Sequence, residues 1–201
     1  MHTALTRRLI GALRFMDPVP RQQAIYSLLD NLETLAPVMP QVMLATRSAL
    51  DDIDDIDFTT SVHARIRALI QDKSYIAKID LNLSYMVRAL ASRYSLENEH
   101  LLIELFQSTH GFTNSQSIPI QRDIMMILAN WQRRYWLSDI KHTFSTMHPW
   151  LKRAFLMSSY SLDDEGRHWR NSVKSSLGDY EKIVHEWAGS KAQNNGWRIP
   201  V

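Results

Sequence analysis

Cysteine is absent from the 201 residues, which excludes a disulfide framework and any thiolate-held metal and fits a reducing compartment. Long hydrophobic runs are missing too: no apolar stretch approaches the roughly 18 residues that a bilayer-crossing helix needs. The opening residues, Met1-His2-Thr3-Ala4-Leu5-Thr6-Arg7-Arg8, lack the charged, apolar and small-residue succession of a secretion signal. Neither sign of charge dominates. Lysine and arginine number 23 against 21 aspartates and glutamates, so the bulk balance of +2 demands neither nucleic acid nor an anionic membrane. These absences describe a soluble, cytoplasmic chain with no membrane partner.

Catalytic signatures are equally scarce. The chain has no glycine-rich phosphate loop, no Gly-x-Ser-x-Gly elbow and no His-Glu-x-x-His pair. Sustained two-residue alternation is absent, as is an Asn-Gly turn between apolar runs, so strands are not expected. No enzymatic activity and no cofactor are assigned on this basis.

Helical periodicity is what the chain does contain. Hydrophobic residues make up 45% and charged residues 22%, ordinary values for one globular domain of this length. Apolar residues recur at steps of three and four: Leu5, Leu9, Leu13 and Met16; Ile25, Leu28, Leu29 and Leu32; Val62, Ile66, Leu69 and Ile70. The series continues through Leu83, Met86, Val87, Leu90 and Tyr94, then Leu102, Leu105 and Phe106, then Ile120, Ile124, Ile127, Leu128 and Trp131. Leu137, Ile140, Phe144 and Met147 follow, and Ile183, Val184 and Trp187 close it. Each set lies on one helix face, which is expected to be buried.

Helix punctuation agrees. Asp17-Pro18-Val19-Pro20, Pro37 and Pro40 separate the early helices. Ser95 suits an N-cap, and Ser117-Ile118-Pro119 and His148-Pro149 place proline near a first turn. Gly166, Gly178 and Gly196 mark late turns. The outcome is an all-α reading of about ten short helices in one domain, with the rhythm of stacked antiparallel pairs as in HEAT-like repeats. A compact irregular bundle gives the same rhythm. Residues 1–50 read as N-terminal helices, 58–190 as the helical-repeat body and 191–201 as a flexible tail.

Between the first two segments lies Asp51-Asp52-Ile53-Asp54-Asp55-Ile56-Asp57, where five carboxylates in seven positions favour a solvated acidic loop. It lacks the sixth-position glycine and the distal glutamate of a calcium-binding loop. Residues 110–117, His-Gly-Phe-Thr-Asn-Ser-Gln-Ser, read as a second loop. His142, His148, Asp163, Asp164 and His168 gather in the C-terminal third without metal-binding spacing, and such histidines are more often caps or partly buried polar groups.

The region from Asn130 to Lys174 mixes cations with large rings. Arg133, Arg134, Lys141, Lys152, Arg153, Arg167, Arg170 and Lys174 stand against Asp139, Asp163, Asp164 and Glu165. Trp131, Tyr135, Trp136, Phe144, Trp150, Phe155, Tyr160 and Trp169 are interleaved. Cations of that kind grip phosphates while bases stack on exposed rings. The candidate nucleic-acid-binding set is Arg133, Arg134, Tyr135, Trp136, Lys141, Lys152, Arg153, Arg167, His168 and Arg170. The plainer alternative makes the rings core and the cations a wet face.

The stretch from His148 to Arg170, His-Pro-Trp-Leu-Lys-Arg-Ala-Phe-Leu-Met-Ser-Ser-Tyr-Ser-Leu-Asp-Asp-Glu-Gly-Arg-His-Trp-Arg, carries a family resemblance. Its proline-tryptophan helix start, internal Arg153-Ala154 pair and Leu-x-Asp-Glu-Gly-x-His-Trp-Arg exit resemble the C-terminal helical-repeat region of bacterial defence-associated reverse transcriptases, the abortive-infection and unknown-group enzymes. Asp163 stands where that pattern has glycine. The run from Arg8 to Pro18 is similar to the entry of the same region.

The resemblance implies an accessory helical domain that packs against the reverse transcriptase catalytic domain or subunit, shapes a channel for single-stranded RNA or DNA, and mediates homo-oligomers. It also implies that a tyrosine such as Tyr135, Tyr160 or Tyr180 could prime synthesis. The family's palm strand with its Asp-Asp metal site has no counterpart here, because Asp51-Asp52 falls in the acidic loop. Polymerisation is therefore not assigned to this chain. A helical protein-protein interaction scaffold without nucleic-acid binding is the alternative.

Overall fold

The computed structural model describes residues 56–72, 81–91, 94–109 and 117–192, with a few isolated positions between 12 and 23. Helix accounts for 89% of the described residues and no strand occurs among them, so the all-α class expected from the periodicity is the observed one. The chain divides into two compact units, 1–108 and 109–201, where the sequence reading expects a single domain. The division cuts the anticipated 58–190 body beside the polar stretch 110–117.

The first unit contributes α1 (Ile56–Gln71), α2 (Leu81–Leu90) and most of α3 (Leu96–Thr109). α1 begins at Ile56, inside the segment expected as the acidic loop. Residues 51–55 lie outside the described residues, as do the stripes at 5–16 and 25–32. Val62 and Ile66, Leu83, Met86, Val87 and Leu90, and Leu102, Leu105 and Phe106 are buried as expected, but Leu69 and Ile70 are half-buried and Tyr94, beyond the end of α2, is exposed.

Ser95 caps α3, its Oγ accepting the amide of Asn98 at 3.0 Å, and Glu97 and Glu99 occupy the first turn, where carboxylates are favoured. His63 of α1 is buried. Its Nε2 pairs with Asn98 Oδ1 and its Nδ1 lies 3.1 Å from Glu97 Oε1, tying α1 to the start of α3. Hydrogen bonds from His63 first, and from Arg67, hold the Glu97 carboxyl below its ordinary pKa.

The second unit runs α4 (Ser117–Asn130), α5 (Arg134–Ile140), α6 (Pro149–Ser158), α7 (Asp163–Val173) and α8 (Asp179–Ala192). Short 3₁₀ turns join them at Lys141–Thr146, Ser159–Leu162 and Lys174–Ser176. α4 is the centre, with eleven of its fourteen residues buried, as befits a helix that is apolar nearly all round. Its end is a Schellman arrangement. Arg133 N bonds Leu128 O and Gln132 N bonds Ala129 O, both at 2.9 Å, with Gln132 at φ 58°, a position glycine usually fills. α6 packs against α4 and α8. Pro149 sits at its start, and the His148 side chain accepts the amide of Trp150 at 3.2 Å, so this histidine is a cap.

Two glycines and one stripe bear on the sequence reading. Gly178 does sit in the turn before α8, but Gly166 lies buried inside α7. A Cβ there would collide with the Ser159 carbonyl oxygen and stand 2.8 Å from Leu162 Cβ, so the residue serves close packing and not a turn. The turn instead falls at Asp163, whose φ of 51° and ψ of −128° occupy a region where glycine is at ease. The stripe Ile183, Val184 and Trp187 is expected inside, yet Ile183 and Trp187 are exposed and Ala188 is the buried residue of α8. Small Ala188 and Gly189 let the helix come close on their side, which turns the larger residues outward. α8 also runs to Ala192, past the start of the expected tail at 191. Lys191 in its last turn complements the dipole there, and 193–201 lie outside the described residues.

Gly166→Ala should destabilise the protein by about 1–3 kcal/mol through overpacking against backbone. Asp163→Gly should stabilise it by about 1 kcal/mol, as relieved strain exceeds the contribution of an exposed ion pair. Chemical denaturation of the three proteins checks both signs, and a neutral Gly166→Ala would refute the close-packing account.

Candidate nucleic-acid interface

The candidate residues are delivered by one local sequence of events. α4 ends at Asn130, the left-handed Gln132 reverses the chain, and α5 starts at Arg134. Residues 133 to 136 therefore emerge at the helix junction that the sequence pattern suggested. Their fates differ. Trp136 turns inward and is buried with Leu137, so it is core and not a stacking platform. Tyr135 stays exposed, and the Arg133 guanidinium lies 5.1 Å from its ring centroid.

Three of the cations are answered by the first turn of α7. Arg134 pairs with Asp163, Lys141 with Glu165, and Arg167 with Asp164 at 2.7 Å, one helical turn away. Ser138 Oγ adds a hydrogen bond to Glu165 at 2.5 Å. The hydrogen bond from Lys141, with that from Ser138, holds the Glu165 carboxyl below its ordinary pKa. His168 is exposed, and its Nδ1 lies 2.7 Å from the Asp164 carbonyl of its own helix. Among the described residues no three histidine or carboxylate side chains come together as a metal site.

Arg170 is core as well. It is buried, donates to the Ser159 carbonyl oxygen at 2.7 Å and lies 3.8 Å from the centroid of Tyr160. Phe144, Phe155 and Trp169 form an edge-to-face cluster, with Trp169 4.9 Å from Phe155 and 5.0 Å from Phe144. That is the preferred geometry of buried rings. The plainer reading, rings as core, therefore holds for Trp136, Phe144 and Phe155, while the buried Arg170 fits neither the binding surface nor a wet face.

The remaining cations sit on rings. Lys152 lies 5.9 Å from the centroid of Phe144, and Arg153 lies 5.0 Å from that of Tyr180 on α8. Tyr180 is 69% exposed and Trp150 is 49% exposed. The Arg153–Tyr180 stack was not legible in the sequence, because 27 positions separate its members and no spacing rule connects them. Of the tyrosines raised as primers, Tyr135 and Tyr180 are exposed. Tyr160 is half-buried, with a hydroxyl whose pKa burial raises against the pull of Arg170, the wrong direction for an activated nucleophile.

Comparison of the chain with protein-family models, with curated proteins and with solved structures gives no match. The functional argument thus stands on the side chains themselves. Among the described residues no helix is long and apolar enough to cross a membrane.

Glu165 supplies a pH test. Its folded pKa is depressed, so its stabilising effect is complete above the unfolded carboxyl value of about 4.3 and is lost as pH falls through the folded value. Glu165→Gln should lower stability at neutral pH by no more than about 1 kcal/mol, the pair being half exposed. The difference from the parent should close on acidification below about pH 4. Paired melting curves across that range check it, and a gap that widens in acid contradicts the Lys141–Glu165 link.

Proposed function

We propose that this chain is a non-catalytic, cytoplasmic helical accessory domain of an antiphage reverse transcriptase system. It binds single-stranded RNA or DNA, packs against the reverse transcriptase catalytic domain or subunit, and self-associates. Its helices stack as antiparallel pairs in HEAT-like fashion. The observation that carries the nucleic-acid part is the placement of guanidinium groups on exposed rings, Arg133 over Tyr135 and Arg153 over Tyr180. Such a stack offers a flat, cationic surface to a base and a charge to the adjacent phosphate. The polymerase part rests on the resemblance of residues 148–170.

A second reading has its own support. α8 carries Tyr180 and Ile183 on one exposed face, three residues apart, a pattern suited to a protein partner. A pure interaction scaffold binds no strand.

Fluorescence anisotropy with labelled single-stranded RNA and DNA at two salt concentrations separates the two. The triple substitution Arg133→Ala, Lys152→Ala and Arg153→Ala should weaken binding about tenfold or more. It should also flatten the salt slope by about 0.7 for each phosphate that is no longer neutralised. Arg134→Ala, whose partner is Asp163, should have the smaller effect. Salt-independent or absent binding in the parent would establish the scaffold reading, with co-purification from the host then identifying the partner protein.

A further inference from the structure

A cleft of about 470 Å³ opens between the 3₁₀ turns and α8 of the second unit, apart from the stacked cations described above. Tyr160, Lys174, Lys182, His185, Glu186 and Gly189 line it. That volume falls within the range of small-molecule sites. Its floor is shaped around a polar group. Gly189 carries no side chain, and a Cβ there would stand 2.9 Å from the Tyr160 hydroxyl; glycine thus leaves that oxygen facing the cleft.

The hydroxyl has one hydrogen, which it donates to the His185 carbonyl oxygen at 2.8 Å. It must then accept from His185 Nδ1, 2.7 Å away. The imidazole is so fixed in the Nδ1–H form, and Nε2 is the nitrogen with a lone pair to protonate. Behind Tyr160 sits the buried Arg170.

We propose that this cleft binds a phosphate group, with Lys174 and Lys182 supplying the charge and His185 taking up a proton at Nε2 as the anion enters. The charged lining favours an anion, since two lysines face one carboxylate, Glu186, and Arg170 adds a positive charge from below. Lys182 has only a long 3.9 Å contact with the exposed Asp179, which leaves it able to swing to a stronger acceptor. Burial above all pushes the His185 pKa below its ordinary value, with Arg170 and Lys174 acting in the same direction and a hydrogen bond to its own backbone and Glu186 opposing. An anion reverses that balance, so its affinity rises as pH falls through the histidine range. The phosphate can belong to a small phosphomonoester or to a strand, and the experiment separates the two.

The full chain is titrated with inorganic sulfate, which has no ionisation near neutrality, at about pH 5.5 and about pH 8, on either side of an ordinary histidine. Saturable binding is expected, tighter at the lower pH. Lys174→Ala and Lys182→Ala, both at exposed positions, should each weaken it about tenfold. Glu186→Gln should tighten it, and His185→Gln should remove the pH dependence. The Arg133, Lys152 and Arg153 triple variant should bind sulfate unchanged, which keeps this site distinct from the strand-binding surface.

Competition then identifies the source. Displacement of sulfate by a nucleoside monophosphate, with strand binding indifferent to Lys174→Ala and Lys182→Ala, assigns the site to a small phosphomonoester. Weakened strand affinity in those variants assigns it to the strand backbone. Absence of saturable sulfate binding at both pH values, or binding indifferent to both lysines, overturns the proposal.

Discussion

The Ser159–Leu162 turn is gripped from two directions, and the arrangement of the second unit follows from that grip. Gly166 brings α7 against the Ser159 carbonyl at a separation no side chain permits, and Arg170, one turn later on the same helix, donates to that oxygen. With α7 seated this way, Trp169 is delivered to the edge of Phe144 and Phe155. The acidic first turn is delivered to Arg134 and Lys141. An arginine is the fitting residue at 170 because a planar guanidinium stacks on Tyr160 while it keeps in-plane donors for the carbonyl. A lysine ammonium, compact and strongly hydrated, does not combine those roles.

The consequence for charge is a sorting of the cations. Those near the first turn of α7 are neutralised by carboxylates at the helix end that itself favours negative charge, and a phosphate has to displace a carboxylate to reach them. Those beyond its reach, Arg133, Lys152 and Arg153, are held against rings. A ring attracts a cation without consuming its charge, so Lys152 and Arg153 keep their field for an incoming anion. The candidate surface is therefore narrower than the ten residues suggested by composition, and it gains Tyr180.

Legibility in the sequence followed the range of the interaction. Helices, the Ser95 cap and the proline-led starts at 117 and 149 depend on neighbours within one turn, and these were readable. The main buried positions of α1 to α3 were readable for the same reason, whereas α4 is buried nearly all round and periodicity picks out only part of it. α8 broke the rule because what decides its inner face is how small Ala188 and Gly189 are, not how apolar Ile183 and Trp187 are. Gly166 reads as a turn in sequence since a glycine's local meaning is turn-like. Its actual reason, the Ser159 carbonyl, comes from the preceding turn packed in three dimensions. Composition alone puts Trp136 and Arg170 on the binding surface, and only tertiary packing reveals them as core. The link from Tyr160 to His185 spans 25 positions and leaves no trace in local spacing.

Tyr160 joins the two halves of this arrangement. One face of its ring carries Arg170, which secures the turn beneath α7, while its hydroxyl fixes the tautomer of His185 on α8. The hydroxyl can serve α8 only because Gly189 leaves room for it, just as the Ser159 carbonyl can meet α7 only because of Gly166. Two missing side chains thus set the spacing of α7 and α8 around one tyrosine. The wall of the cleft is in consequence fixed at Tyr160, held by Arg170 and His185, and adjustable where the exposed Lys174 and Lys182 line it. That combination suits recognition of a compact anion: a fixed imidazole inside, with lysine charges at the rim that close on what enters.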